Sequence, residues 1–97
     1  MANEQRKIEF ELPSDVAEGK YSNLSIIAHS RSEFILDFAS MLPGMNKAKV
    51  HSRVLLTPEN AKRLMLTLQE NVARYEQSFG TIQNVVKGGG PIGGGFA

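Results

Sequence analysis

The stretch Thr57–Gly80, TPENAKRLMLTLQENVARYEQSFG, decides the fold. Thr57 can cap a helix, Pro58 suits a first turn whose N–H has no intrahelical partner, and Gly80 can close the far end. At about 100° per residue, Ala61, Leu64, Met65, Leu68, Val72, Tyr75 and Phe79 fall on one narrow apolar stripe. Lys62, Arg63, Gln69, Glu70, Ala73, Arg74 and Gln77 lie away from it. Glu59 with Arg63 and Glu70 with Arg74 place acid four residues before base on the outer side, which favours helix by a few tenths of a kcal/mol per pair. A helix of this kind must cover an apolar surface, so the question passes to what lies upstream.

Everything upstream reads as strands. From Lys7 the chain alternates strictly, with Ile8, Phe10 and Leu12 on one side and Lys7, Glu9 and Glu11 on the other, until Pro13 ends the run. Ser14–Lys20 is a connector, with Gly19 permitting a turn. Tyr21–Ser30 sets Leu24, Ile26 and Ala28 against Tyr21, Asn23, Ser25, Ile27 and His29, and Ser30-Arg31-Ser32 is short enough for a hairpin. Glu33–Met41 sets Phe34, Leu36 and Phe38 against Glu33, Ile35, Asp37, Ala39 and Met41; Pro43-Gly44 then signals a type II turn. Ala48–Leu56 sets Val50, Ser52, Val54 and Leu56 against Lys49, His51, Arg53 and Leu55. Consecutive strands joined by short turns pair antiparallel. The expected fold is α+β, a four-stranded antiparallel meander sheet packed against one long C-terminal helix. Residues 1–6 read as a disordered N-terminus, 7–87 as a single domain and 88–97 as a flexible Gly-rich tail, with Thr81–Lys87 a short extra strand or extended segment.

A four-stranded sheet is roughly 15 to 19 Å across, whereas one helix covers about 10 Å. Some of the helix-side face therefore needs another cover. The opposite face is also too apolar for a solvated surface, since Ile27, Ile35, Ala39, Met41 and Leu55 share it with His29, Asp37, His51 and Arg53. Ile27, Ile35, Met41 and Leu55 are accordingly candidates for a subunit or partner-polypeptide surface, and the chain is expected to form a homo-oligomer, a dimer or larger.

Chemistry is sparse. Asp37, His51 and Arg53 form the one candidate polar cluster, and turn parity allows either His51 or Arg53 as the partner of Asp37. A small ligand-binding protein or enzyme using these three is the second reading, but no nucleophile or oriented pocket is legible, so no catalytic residue is assigned. His29 and His51 fall about two strands apart and offset along the sheet, too far for one metal ion, and no metal or cofactor is expected. The glycines near the end follow a helix rather than opening one and lack the Lys-Ser/Thr of a phosphate loop. Arg31, Lys47, Lys49 and Arg53 could support weak nucleic-acid binding, the third reading, but the net charge is +1 and the basic residues are dispersed. There is no Cys, no apolar leader and no run of membrane-spanning length, which together point to a cytoplasmic protein.

Tyr21-Ser22-Asn23, His29-Ser30, Glu33-Phe34-Ile35-Leu36-Asp37-Phe38, Pro43-Gly44, Ser52-Arg53-Val54, Pro58, Ala61-Lys62-Arg63-Leu64 and Tyr75-Glu76 through Phe79-Gly80-Thr81-Ile82 together resemble the small bacterial domain-of-unknown-function family numbered 3467. The resemblance runs from about Ile8 to Ile82 and implies a compact domain with no established activity, cofactor or catalytic residue. The inferred order of strands followed by a long helix is also similar in architecture to the subunit of SecB-like export chaperones. That similarity implies subunits joined through sheets and helices, with apolar grooves that hold unfolded segments. The leading expectation is thus a non-enzymatic, oligomeric protein-binding module, with a chaperone-like holdase as its sharper form.

Overall fold

The structure, a computed structural model, describes residues 7–83. The element order is α1 (Ser14–Ala17), β1 (Leu24–His29), β2 (Phe34–Ser40), β3 (Lys49–Leu56) and α2 (Pro58–Phe79). The three strands form one antiparallel meander in the order β1-β2-β3. The α+β class, the antiparallel meander and the long C-terminal helix are as the sequence predicts. The sheet, however, has three strands and not four. Residues 1–6, 84–87 and the tail at 88–97 lie outside the described residues.

The missing strand is Lys7–Leu12, which joins no ladder and makes no backbone hydrogen bond among the described residues. Its exit explains this. The Pro13 carbonyl accepts from the N–H groups of Val16 and Ala17 at 3.0 and 2.9 Å, so the chain coils at once into the single turn of α1. Gly19, at φ +79°, then redirects it into β1. The chain is next pinned to the end of β2: the Asn23 side chain bridges the Met41 N–H and carbonyl at 2.9 Å each, and the Ser40 hydroxyl donates to the Tyr21 carbonyl at 2.8 Å.

The β1–β2 register corrects the expected faces. Ser30 N–H donates to the Glu33 carbonyl at 2.9 Å and His29 stands opposite Phe34, so the hairpin loop has four residues rather than three. One extra loop residue inverts every facing relation. Ile27 therefore pairs with Leu36, on the face of Phe34 and Phe38, and not with Ile35 as expected. Leu24, Ile26 and Ala28 share the other face with Ile35, Asp37 and Ala39.

The β2–β3 ladder runs from Phe34↔Leu56 to Phe38↔Ser52, shifts by one residue, and resumes at Ala39↔Val50. His51 is the extra residue of this β-bulge. Val50 is thereby turned onto the face of Arg53 and Leu55, where simple alternation would not put it. The turn between β2 and β3 is as expected: Met45 N–H donates to the Leu42 carbonyl at 3.1 Å around Pro43 and Gly44, the latter at φ +86°.

α2 begins and ends where its sequence dictates. The Thr57 hydroxyl accepts from Asn60 N–H at 3.2 Å, Pro58 opens the first turn, and Gly80, at φ +98°, donates its N–H to the Glu76 carbonyl at 2.9 Å. The Glu59–Arg63 and Glu70–Arg74 pairs both close at 2.9 Å. After Gly80 the described chain, residues 81–83, is neither strand nor helix, and Ile82 N–H donates to the Glu76 carboxylate at 2.9 Å. No helix of the described residues is long and apolar enough to cross a membrane.

Burial is concentrated on the middle strand. Among the described residues, Leu36, Asp37 and Ala39 are the buried ones, all on β2. Among the described residues, those of the outer strands β1 and β3 are half-buried or exposed throughout.

Candidate functional site

α2 rises directly from β3 and leaves a groove of about 650 Å³ between itself and the sheet. Its floor is Ile27 of β1, Phe34, Leu36 and Phe38 of β2, and Leu56 of β3; its wall is Pro58, Ala61, Leu64, Met65 and Leu68. Ser25 and Lys62 are the polar residues among its lining. The two patterns responsible are elementary. Period 2 along β2 sends Phe34, Leu36 and Phe38 to one face, and period 3.6 along α2 turns Ala61, Leu64, Met65 and Leu68 toward them. The gap is not closed, since Leu64, Met65 and Leu68 remain about half exposed. Farther along, the stripe continues through Val72 and Tyr75 to Phe79, which is 74% exposed; the Tyr75 and Phe79 rings meet at 5.0 Å.

The candidate surface residues divide among three places. Ile27 stands at the groove, on the outer strand β1. Ile35 and Leu55 face each other across β2 and β3 on the opposite, open face, together with Leu24, Ile26 and Val50. Met41 sits just beyond β2, half-buried, its backbone held by Asn23.

The candidate polar cluster does not converge. On the open face Asp37 stands opposite Arg53, and the guanidinium donates to both carboxylate oxygens, at 2.7 Å from Nε and 2.8 Å from Nη2. This fork geometry satisfies both groups. The Arg53 hydrogen bonds hold the Asp37 carboxyl below its ordinary range; burial opposes the shift, and the guanidinium charge adds to it. In turn the hydrogen bond and charge of Asp37 raise Arg53 above its ordinary value.

His51 is elsewhere. Its Nε2 lies 2.9 Å from the Tyr21 carbonyl and its Nδ1 2.8 Å from the Ser52 hydroxyl. A carbonyl can only accept, so Nε2 carries the proton, and in the neutral ring Nδ1 accepts from Ser52. Ser52 stands opposite Phe38 on the α2 side, so the bulge has carried His51 away from Asp37. His29 is stacked on Phe34, with ring centroids 5.3 Å apart. The arrangement fits a structural role for each of these polar groups: a neutralised pair and two aromatic rings anchored at the sheet.

The contribution of β1 to the groove floor was not legible in the amino-acid pattern, because it depends on hairpin parity. The available signal was the pair Ser30 and Glu33 as the two ends of a four-residue loop. No curated protein and no solved structure matches the chain. The family model described as Protein of unknown function (DUF3467) matches residues 1–84, and the chain belongs to that family.

Proposed function

We propose that this protein is a non-enzymatic, self-associating protein-binding module whose groove between α2 and the sheet receives an extended apolar segment of polypeptide. The observation that carries this reading is the groove itself. It is apolar on floor and wall, open to solvent, and flanked by a strand edge that can hydrogen-bond to an extended backbone. A soluble monomer rarely leaves so continuous an apolar surface uncovered. The open face bearing Ile35 and Leu55 is a second contact surface of the module. A holdase resembling the SecB-like chaperones is the sharper form of the proposal, supported by the same groove and by the half-exposed Met65, whose flexible thioether adapts to varied partners.

The test is fluorescence anisotropy with a fluorescein-labelled synthetic peptide that alternates Val or Phe with Ser or Lys. Saturable binding is expected, weakened at least tenfold by Met65→Glu and by Leu68→Glu, with far-UV circular dichroism unchanged. Binding that both variants leave intact, or no saturable binding, removes the groove as the site.

A further inference from the structure

We infer that the segment seated against this groove is Lys7–Leu12 of a second copy of the chain, added as a fourth strand to the outer edge of β1, each copy donating its arm to the other. The inference rests on the groove reading above and names the occupant.

Lys7–Leu12 has the composition and the alternation of a half-buried strand, yet among the described residues of one chain it has no strand partner. It makes no backbone hydrogen bond among the described residues, and Phe10 is 92% exposed, with Ile8 and Leu12 exposed as well. A strand written with one apolar and one polar face specifies a ladder in which Ile8, Phe10 and Leu12 are covered and Lys7, Glu9 and Glu11 are wet. Pro13 and the single turn of α1 interrupt the extended chain between the arm and β1.

The two sheet edges differ in what they admit. β3 carries Lys49, Arg53 and the bulge at His51, three devices that discourage strand addition. β1 reads Leu-Ser-Ile-Ile-Ala-His, without Lys, Arg, Asp, Glu, Pro or a bulge. The unprotected edge also borders the groove, through Ser25 and Ile27. A strand added there with Ile8, Phe10 and Leu12 on the groove side widens the apolar floor beneath Leu64, Met65 and Leu68. The other face of the arm then presents Glu9 and Glu11 to water.

Exchange makes the contact twice over. Phe10 alone can bury about 150 Å² in each arm, and Ile8 and Leu12 flank it on the same side. Reciprocal exchange is closed by a two-fold axis and leaves no arm unpaired.

The absence of native Cys allows a direct test. In the full chain, Phe10→Cys and Ile27→Cys are combined and bridged with a short bis-maleimide, and mass is read under denaturing conditions. Residues 10 and 27 are central in their strands, so they stay near each other whether the arm runs parallel or antiparallel to β1. A covalent dimer from the double variant, with each single variant monomeric, is the expected result. An internally bridged monomer means that the arm closes on its own chain, and no bridge means that it does not reach β1; either overturns the inference. As a second measurement, Phe10→Asp, outside the folded core, is expected to weaken self-association at least tenfold in sedimentation without altering helix content. An unchanged association constant overturns the exchange. If the exchange fails while the synthetic peptide still binds in a manner sensitive to Met65→Glu, the groove reading stands without this occupant.

Discussion

Asp37 shows how one register position decides a residue's chemistry. Its carboxylate faces Arg53 because the ladder sets residue 37 opposite 53, and both of its oxygens are held by the guanidinium. A carboxyl whose pKa is lower in the folded than in the unfolded chain contributes stability above the unfolded value, about 3.9 for Asp. That contribution declines as pH falls through the folded value. Asp37→Asn keeps the shape and removes the charge. The melting temperature of the wild type should therefore exceed that of the variant by a constant margin above about pH 5, and the margin should close as acid is added below about pH 4. A margin independent of pH over that range would show that the pair is not the source. Either partner was compatible with the sequence, because turn parity does not distinguish His51 from Arg53 until the loop lengths are known. His51 was diverted by a bulge that no Gly or Pro marks, and its ring is held by Tyr21 and Ser52 instead.

Among the elements, α2 was the most legible because its determinants are local: a capping hydroxyl, Pro58 in the first turn, Gly80 at the end and an apolar stripe at helical spacing. The strands were legible as strands, yet their faces were not. The four-residue hairpin at 30–33 moved Ile27 from the open face to the groove, and the bulge moved Val50 the other way. Lys7–Leu12 reads as a strand from its alternation, yet it joins no ladder among the described residues, because alternation names a face and not a partner. The cap of α2 has a further role, since Thr57 directly follows β3 and fixes where the wall of the groove begins. Thr57→Ala removes the acceptor for Asn60 N–H and should cost about 1 kcal/mol, read as a lower urea midpoint with an unchanged slope. Thr57→Asn should restore most of it, because Asn caps as well. Equal loss in both variants would place the effect in packing rather than in the cap.

For the whole molecule, the decisive quantity is how little one copy buries. Leu36 and Ala39 are the buried apolar residues among those described, while apolar side chains along α2, in the Lys7–Leu12 arm and on both sheet faces remain exposed. Small domains are already limited in the fraction of surface they can bury, and under the proposed exchange one with so thin a core would gain stability from association. Folding and assembly should then be coupled, so the melting temperature must depend on protein concentration. With an unfolding entropy near 2.1 cal/mol/K per residue and two chains per transition, each tenfold increase in concentration should raise the midpoint by about 4 °C. Differential scanning calorimetry across two decades of concentration reads this directly. A midpoint that does not move would mean that the single chain is stable alone and that its apolar groove serves a partner other than itself. A midpoint that rises in wild type but is fixed and low in Phe10→Asp would assign the coupling to the exchanged arm rather than to the open face around Ile35 and Leu55.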